Sequence, residues 1–326
     1  MALETTAPLP ASGAREGSDL TRDMVWLPGG TFQMGSDRHY PEEAPVYGVM
    51  VSPFWIDRTP VTNRQFAAFV AATGYRTVAE RMPNPADYPG ALPHMLKPGS
   101  LIFRKTAGPV DLRNISNWWE WKPGAYWRHP EGKGSSVAGR LDHPVVQVAV
   151  EDAEAYARWA GKALPTEGEW EFAARGGLDG AEFVWGDEFA PEGRQMANTW
   201  QGEFPWQNLC ADGFERTSPV GVFPPNGYGL SDMIGNVWEW TGDWFSTRHT
   251  ADAPKACCIP ENPRGGRESD SYDECNPPVR IPRKVVKGGS FLCAPNYCRR
   301  YRPAARHAQP IDSGMSHVGF RCVVRA

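Results

Sequence analysis

Nothing in the sequence marks it for a membrane or for nucleic acid. No apolar run is long enough to span a bilayer, no tract of lysine and arginine stands out, and the polar start Met1 to Arg22 carries no signal-peptide pattern. A formal net charge of −4 adds no general attraction to nucleic acid or anionic lipid. The expected compartment is therefore the cytoplasm, with neither nucleic acid nor membrane as a partner. Histidine patterns are also missing. The seven histidines are scattered, with neither a His-Glu-x-x-His motif nor two histidines grouped with a carboxylate. His129 and His143 lie in turn-like text and read as structural. Ser290 follows Gly288-Gly289, yet nothing around it resembles the strained serine elbow of hydrolases.

Long amphipathic helices are few as well, while 34 Gly, 31 Pro and 14 Trp point to turns and short strands with large aromatics filling the core. Hydrophobic residues make up 41% and charged residues 22%, as in ordered globular chains. Seven cysteines without an export signal read as thiols or metal ligands rather than a disulfide framework, and the odd number leaves at least one unpaired.

Residues 1–22 read as a disordered leader, and the absence of a convincing linker or strict repeat makes 23–326 a single domain. Met24 to Leu27, the Pro28-Gly29-Gly30 turn and Thr31 to Gly35 give a hairpin signal. Val49 to Ile56 reads as a strand, and Thr62 as the cap of a helix running to Gly74 with Phe66, Phe69 and Val70 facing the core. The proline-broken text from Ala79 to Trp118 reads as a long surface excursion. Helices are expected over Glu151 to Ala160, stopped by Gly161, and over Leu164 to Gly177. In the second, Thr166 is the N-cap, Glu169 completes a capping box and Gly176 is the stop. Further strands are expected at Val220 to Val222, Arg283 to Phe291 and Val318 to Val324.

Two kinds of text could carry chemistry. Asn198, Thr199, Asp212 and Phe214 lie in loops that combine side-chain oxygens with glycine-bent backbone, and so do Asp232, Gly235, Val237 and Glu239. A hard cation such as calcium uses such oxygens, but Asp and Asn are ordinary turn residues, and on the residues alone plain Asx turns are the better reading. The other stretch is Gly288 to Arg302, which holds Cys293 and Cys298. Five residues turn a helix by about 500°, and an odd separation puts strand side chains on opposite faces, so the sulfurs meet only if the chain bends. Ala294-Pro295-Asn296 supplies a bend. Two converging thiols suit Cu(I), a reversible disulfide, or simply small buried apolar residues. Arg299, Arg300 and Arg302 would favour the thiolate. Cys257, Cys258 and Cys275 sit in a proline-rich insertion, Ala251 to Pro282, as surface thiols or a local staple.

From about Met24 to Arg325 the chain resembles the formylglycine-generating enzymes, or sulfatase-modifying factors. The matching phrases include Leu27 to Gly35, Val61-Thr62-Asn63, Trp127 to Gly132, Asp142 to Val145, Leu164 to Glu167, Trp200 to Pro205, Phe223 to Leu230, Gly235 to Trp240 and Gly319 to Cys322. The Gly-Gly-Ser-x-x-Cys-x4-Cys pattern at Gly288 to Cys298 separates this branch from relatives that do other chemistry.

The resemblance implies a compact α+β fold related to C-type lectins, poor in regular secondary structure. It also implies the reaction: a Cys-x-Pro-x-Arg segment of an unfolded sulfatase is oxidised by O2, with a thiol reductant, to Cα-formylglycine. By resemblance Cys293 and Cys298 hold Cu(I), and Ser290, Tyr297, Trp238 and Arg302 line the substrate pocket. One structural calcium falls to Asn198, Thr199, Asp212 and Phe214, and a second to Asp232, Gly235, Val237 and Glu239. This reverses the preference for plain turns. Ala157, Ala174 and Pro303 stand where secreted relatives look to have cysteines, so Cys322 lacks its expected partner, in keeping with a cytoplasmic protein. A calcium-stabilised, lectin-like binding module without catalysis is the alternative, and an iron-dependent enzyme forming C–S bonds a third reading.

Overall fold

A computed structural model of the chain describes residues 19–249, 259–275 and 280–325. The expected leader lies, through residue 18, outside the described residues, and Asp19–Thr21 forms a short 3-10 turn. The fold is α+β. In chain order it runs β1 (Met24–Leu27), β2 (Gly30–Met34), β3 (Tyr47–Val51), β4 (Phe54–Asp57), α1 (Asn63–Thr73), β5 (Gly99–Phe103), β6 (Trp119–Pro123), α2 (Val150–Trp159) and α3 (Glu167–Arg175). It continues through β7 (Trp238–Trp244), β8 (Arg283–Lys287), β9 (Arg306–Pro310), β10 (Val318–Gly319) and β11 (Val323–Arg325).

Among the described residues the strands form four small sheets. One has the order β1-β4-β11, a second β10-β7-β8-β9, and β2-β3 and β5-β6 are two-stranded. The expected hairpin of β1 with β2 is therefore a correction. β1 pairs with β4 and β2 with β3, in separate sheets. The turn between them holds Gly29 at φ +69°, where a Cβ would meet the Val51 carbonyl oxygen at 2.3 Å. Only glycine lets the chain press so close to β3 and leave its first sheet. Four other expected strands are also broken, shortened or lost. Val49 to Ile56 is broken at Ser52-Pro53 into β3 and β4, and the positive φ of Gly288 ends β8 at Lys287. Val318 to Val324 is two strands, β10 and β11. Val220 to Val222 is a turn, because Gly221 takes φ +75° and donates its N–H to the Asp232 carboxylate at 2.7 Å.

The helices follow the capping chemistry in the sequence. Thr62 accepts the Gln65 N–H, Gln65 reaches back to the Thr62 N–H, and Gly74 closes α1 in the left-handed conformation. Thr166 and Glu169 form the same reciprocal pair at the start of α3, and Gly176 ends it. Phe66 and Phe69 are buried in the main core with Tyr156 of α2, Trp170 of α3 and Trp240 of β7. A second apolar cluster of Phe103, Trp118, Trp200, Phe204, Phe291, Leu292 and Ala294 sits under the β5-β6 hairpin, with Trp119 and Tyr297 packed against it. Among the described residues no helix is long and apolar enough to cross a membrane.

Candidate functional site

The cysteine loop begins where β8 stops. Gly289 takes φ +70°, and a Cβ there would meet the Arg300 carbonyl at 2.8 Å, so the two ends of the loop lie backbone to backbone. The Ala294 carbonyl then accepts the N–H groups of both Tyr297 and Cys298, at 3.1 and 2.8 Å. This closes the single turn that Pro295 and Asn296 led us to expect. It brings Cys293 Sγ and Cys298 Sγ to 3.1 Å, with both cysteines as free thiols.

The loop is anchored at several points. Trp200 donates its N–H to the Cys293 carbonyl at 3.0 Å, and Phe291 donates to the Asn236 carbonyl at 3.0 Å. The Asn296 side chain accepts the Phe204 N–H and donates to Glu203.

The two thiols differ. Burial pushes the Cys293 thiol well above its ordinary range, and its contact with Cys298 adds to this. Cys298 is lowered instead, because its hydrogen bond with Cys293 and, against the cost of burial, the positive charge of Arg300 favour its thiolate. Cys298 is thus the first of the pair to become a thiolate.

Both sulfurs border a cavity of about 550 Å³. Its walls include Trp118, Trp119, Phe204, Trp238 and Leu292, with Ser290 and Tyr297 beside the cysteines. Ser290 is fully buried and its hydroxyl accepts the Leu292 N–H at 3.3 Å. Tyr297 stacks on Phe204 at 4.4 Å between ring centroids, with Trp118 edge-on at 5.3 Å. Its phenol is pushed up to about 12, first by burial and then by the two cysteines, so it remains a proton donor at neutral pH. Trp238 is held by donating its backbone N–H to the His317 carbonyl at 2.8 Å.

Arg302 does not join them. It is buried away from the cavity, with its guanidinium on the Glu43 carboxylate at 2.5 and 2.8 Å and its Nε on the Arg299 carbonyl at 2.7 Å. The residue two places earlier, Arg300, lines the cavity instead. Alternation along an extended stretch puts 300 and 302 on one side only while the chain stays straight, and here it does not.

His307 and His317 also line the cavity, although nothing in their spacing signalled it. They meet there because β9 and the approach to β10 pass the same wall. His317 packs on Trp119 at 4.8 Å, and burial lowers its imidazole to about 3. His307 is exposed on the cavity wall. His129 and His143 are away from the cavity, against Ser135 and Thr217.

The donors at the thiol pair fit a soft monovalent ion. Two sulfurs converge there, and among the described residues no group of three or more His, Cys, Asp or Glu is placed to hold a metal.

The first oxygen-rich set also fits a cation. Asn198 Oδ1 is buried without a hydrogen-bond partner among the described residues, and the Gln201 amide nitrogen donates to both the Thr199 carbonyl and Asp212 Oδ2. That amide stands where a positive ion would. Phe214 is tied in by donating its N–H to Asp212 Oδ1 at 2.9 Å.

The second set does not fit as expected. Both Glu239 oxygens are already bonded to Arg321, at 2.7 and 2.8 Å, and one of them also to the Trp170 indole. Arg321 further donates to the Asp232 carbonyl at 3.2 Å, so a guanidinium bridges two residues of the set. Asp232 is raised to about 6 by burial, and its carboxylate takes the Gly221 N–H at 2.7 Å.

Of the remaining cysteines, Cys322 is buried and free in the same core cluster as Ala157, Cys210 is half-buried and free, Cys275 is exposed and free, and Cys257 and Cys258 lie outside the described residues.

A close thiol pair on the wall of an aromatic cavity, in an α+β scaffold of short strands, defines an enzyme-type site rather than a purely structural fold. The sulfatase-modifying factor enzyme 1-like domain matches residues 11–326, and the chain belongs to that family. It is 56% identical over 302 residues to the formylglycine-generating enzyme of Mycobacterium tuberculosis, covering 92% of this chain and 97% of the relative. It is also 44% identical over 320 residues to a Bos taurus protein named inactive C-alpha-formylglycine-generating enzyme 2, covering 94% and 89%. Among solved structures, PvdO from Pseudomonas aeruginosa shares the fold, with a TM-score of 0.59 and 24% identity over 93% of this chain and 94% of that one.

Proposed function

We propose that the cavity beside Cys293 and Cys298 receives an unfolded sulfatase segment of the Cys-x-Pro-x-Arg type and that the two sulfurs hold Cu(I) next to the substrate cysteine. The chain acts in sulfatase activation, converting a cysteine to formylglycine. Overall similarity extends to a relative named inactive, so the observation that carries catalysis here is the thiol pair at 3.1 Å on the cavity wall.

Copper, when bound, supplies the O2 chemistry and leaves a position for the substrate sulfur. The protein's own groups do the rest. Trp118, Trp119, Phe204 and Trp238 enclose the segment and exclude water. The Tyr297 phenol, kept protonated, and the Ser290 hydroxyl offer polar contacts beside the reacting cysteine. The electrons balance with two from the substrate cysteine and two from a thiol reductant, all four going to O2. The resulting thioaldehyde takes up water and releases sulfide, giving the aldehyde.

Calcium at Asn198, Thr199, Asp212 and Phe214 would stiffen the wall behind the cysteine loop, since Trp200, next in the chain, holds the Cys293 carbonyl. No role is assigned to calcium at the second set. The proposed compartment is the cytoplasm, where Cys293, Cys298 and Cys322 stay reduced.

Anaerobic titration of the reduced protein with Cu(I) tests this reading. One equivalent should bind to the wild-type protein and be lost in both Cys293→Ser and Cys298→Ser. A lectin-like module would show no such pair-dependent uptake and would keep its peptide affinity in both variants.

A further inference from the structure

We propose that Arg300 balances the charge of the copper–thiolate site, held at its post by Glu42 and Tyr40. The assignment rests on the functional reading above and extends it to a residue outside the thiol pair. A monovalent cation between two thiolates carries a net negative charge, and a substrate thiolate adds another. The walls around it are largely aromatic and aliphatic, and an uncompensated charge in such surroundings is costly. Among the described residues that line the cavity, Arg300 is the sole lysine, arginine, aspartate or glutamate. The imidazole buried on the wall, His317, favours its neutral form.

The way Arg300 is held points the same way. Its Nη2 donates to Glu42 Oε1 at 2.6 Å, and its guanidinium carbon lies 3.7 Å from the centre of the Tyr40 ring. The Tyr40 hydroxyl accepts the Arg299 N–H at 3.1 Å, so ring and chain are fixed together. Glu42 belongs to the short 3-10 turn Pro41–Glu43, whose next residue, Glu43, anchors Arg302. Two consecutive carboxylates thus grip alternate arginines of the segment that follows Cys298. The difference is that each Arg302 nitrogen has a partner, whereas Arg300 Nε is buried with no hydrogen-bond partner among the described residues. A buried N–H left open beside a thiol pair is suited to a sulfur anion or to a carbonyl of the arriving peptide. With Glu42 paired to Arg300 the empty cavity is close to neutral, and the guanidinium becomes the counter-charge when the metal-bound thiolates form.

The test is competition for Cu(I) against a chromophoric chelator, without O2 and at one pH. It compares the wild-type protein with Arg300→Gln, Arg300→Lys and the double variant Glu42→Gln/Arg300→Gln. Arg300→Gln should bind Cu(I) about 10- to 100-fold more weakly, as for loss of one opposite charge within a few ångströms, and Arg300→Lys should recover most of the affinity. The double variant leaves no unpaired buried carboxylate, so it remains informative if Arg300→Gln alone is too unstable to fold, and it too should bind weakly. Neutral variants within about threefold of wild type, or a lysine variant as weak as the glutamine one, would overturn the assignment while leaving copper at the cysteines intact. A wild-type protein that takes up no Cu(I) at the pair would instead remove the parent reading, and this one with it.

Discussion

Replacing Arg302 by Met should cost stability and leave substrate affinity alone. Arg302 is 2% exposed and Glu43 is fully buried, and their two hydrogen bonds of 2.5 and 2.8 Å make a fork-to-fork pair. Removing one partner strands a buried carboxylate, which costs about 3–5 kcal/mol. For a chain of 326 residues, an unfolding entropy of about 2.1 cal/mol/K per residue converts that cost to a fall in Tm of about 4–7 °C. The double variant Glu43→Met/Arg302→Met leaves nothing unpaired and should recover much of the loss, so the cycle isolates the pair. Thermal unfolding followed by circular dichroism reads the effect, and peptide KM is measured well below the lowered Tm. An unchanged Tm with a severalfold higher KM would refute the structural assignment and return Arg302 to the substrate pocket.

Three further outcomes are expected. Gly289→Ala forces an alanine to φ +70° with its Cβ 2.8 Å from the Arg300 carbonyl, and should cost about 1–3 kcal/mol and disturb copper uptake together with stability; thermal melts and Cu(I) titration would show both, and a silent variant would contradict the loop geometry. His249 is buried, its pKa lowered to about 4 by desolvation, with Glu167 opposing and Arg306 assisting the shift. Its folded-state pKa lies below the unfolded one, so its contribution is present above about pH 6.5 and is lost as pH falls towards 4. The stability of wild type relative to His249→Gln should therefore drop by about 3 kcal/mol between pH 7 and 4 in denaturant titrations, and a flat difference would count against it. Calcium should raise the Tm of the wild-type protein and fail to do so in Asp212→Ala, and an equal rise in both would place the ion elsewhere.

Much of this architecture could be read from local chemistry. Thr62 with Gln65, Thr166 with Glu169, and the glycines at 74 and 176 set the ends of α1 and α3 because capping is satisfied within a few residues. The cysteine turn was legible for the same reason: Pro295 and Asn296 bend the chain between the two thiols. What failed was non-local. β1 and β2 looked like a hairpin, yet each finds its partner across another segment, because Gly29 directs the chain onto β3. The family pattern pointed to Arg302 for the pocket, but the choice between Arg300 and Arg302 depends on Glu42 and Glu43, more than 250 positions away in the chain. Likewise, Glu239 offered itself as a calcium ligand until Arg321 was seen to occupy it. His307 and His317 carry no motif and reach the cavity only through the path of β9 and β10.

The claim that the thiol pair performs the reaction is tested most directly by the mass of a Cys-x-Pro-x-Arg peptide incubated with copper-loaded protein, O2 and a thiol reductant. Replacement of CH2SH by CHO should lower that mass by about 18 Da with the wild-type protein and leave it unchanged with Cys293→Ser or Cys298→Ser. An unmodified peptide with folded, copper-loaded wild type, or equal conversion by either serine variant, would contradict the account.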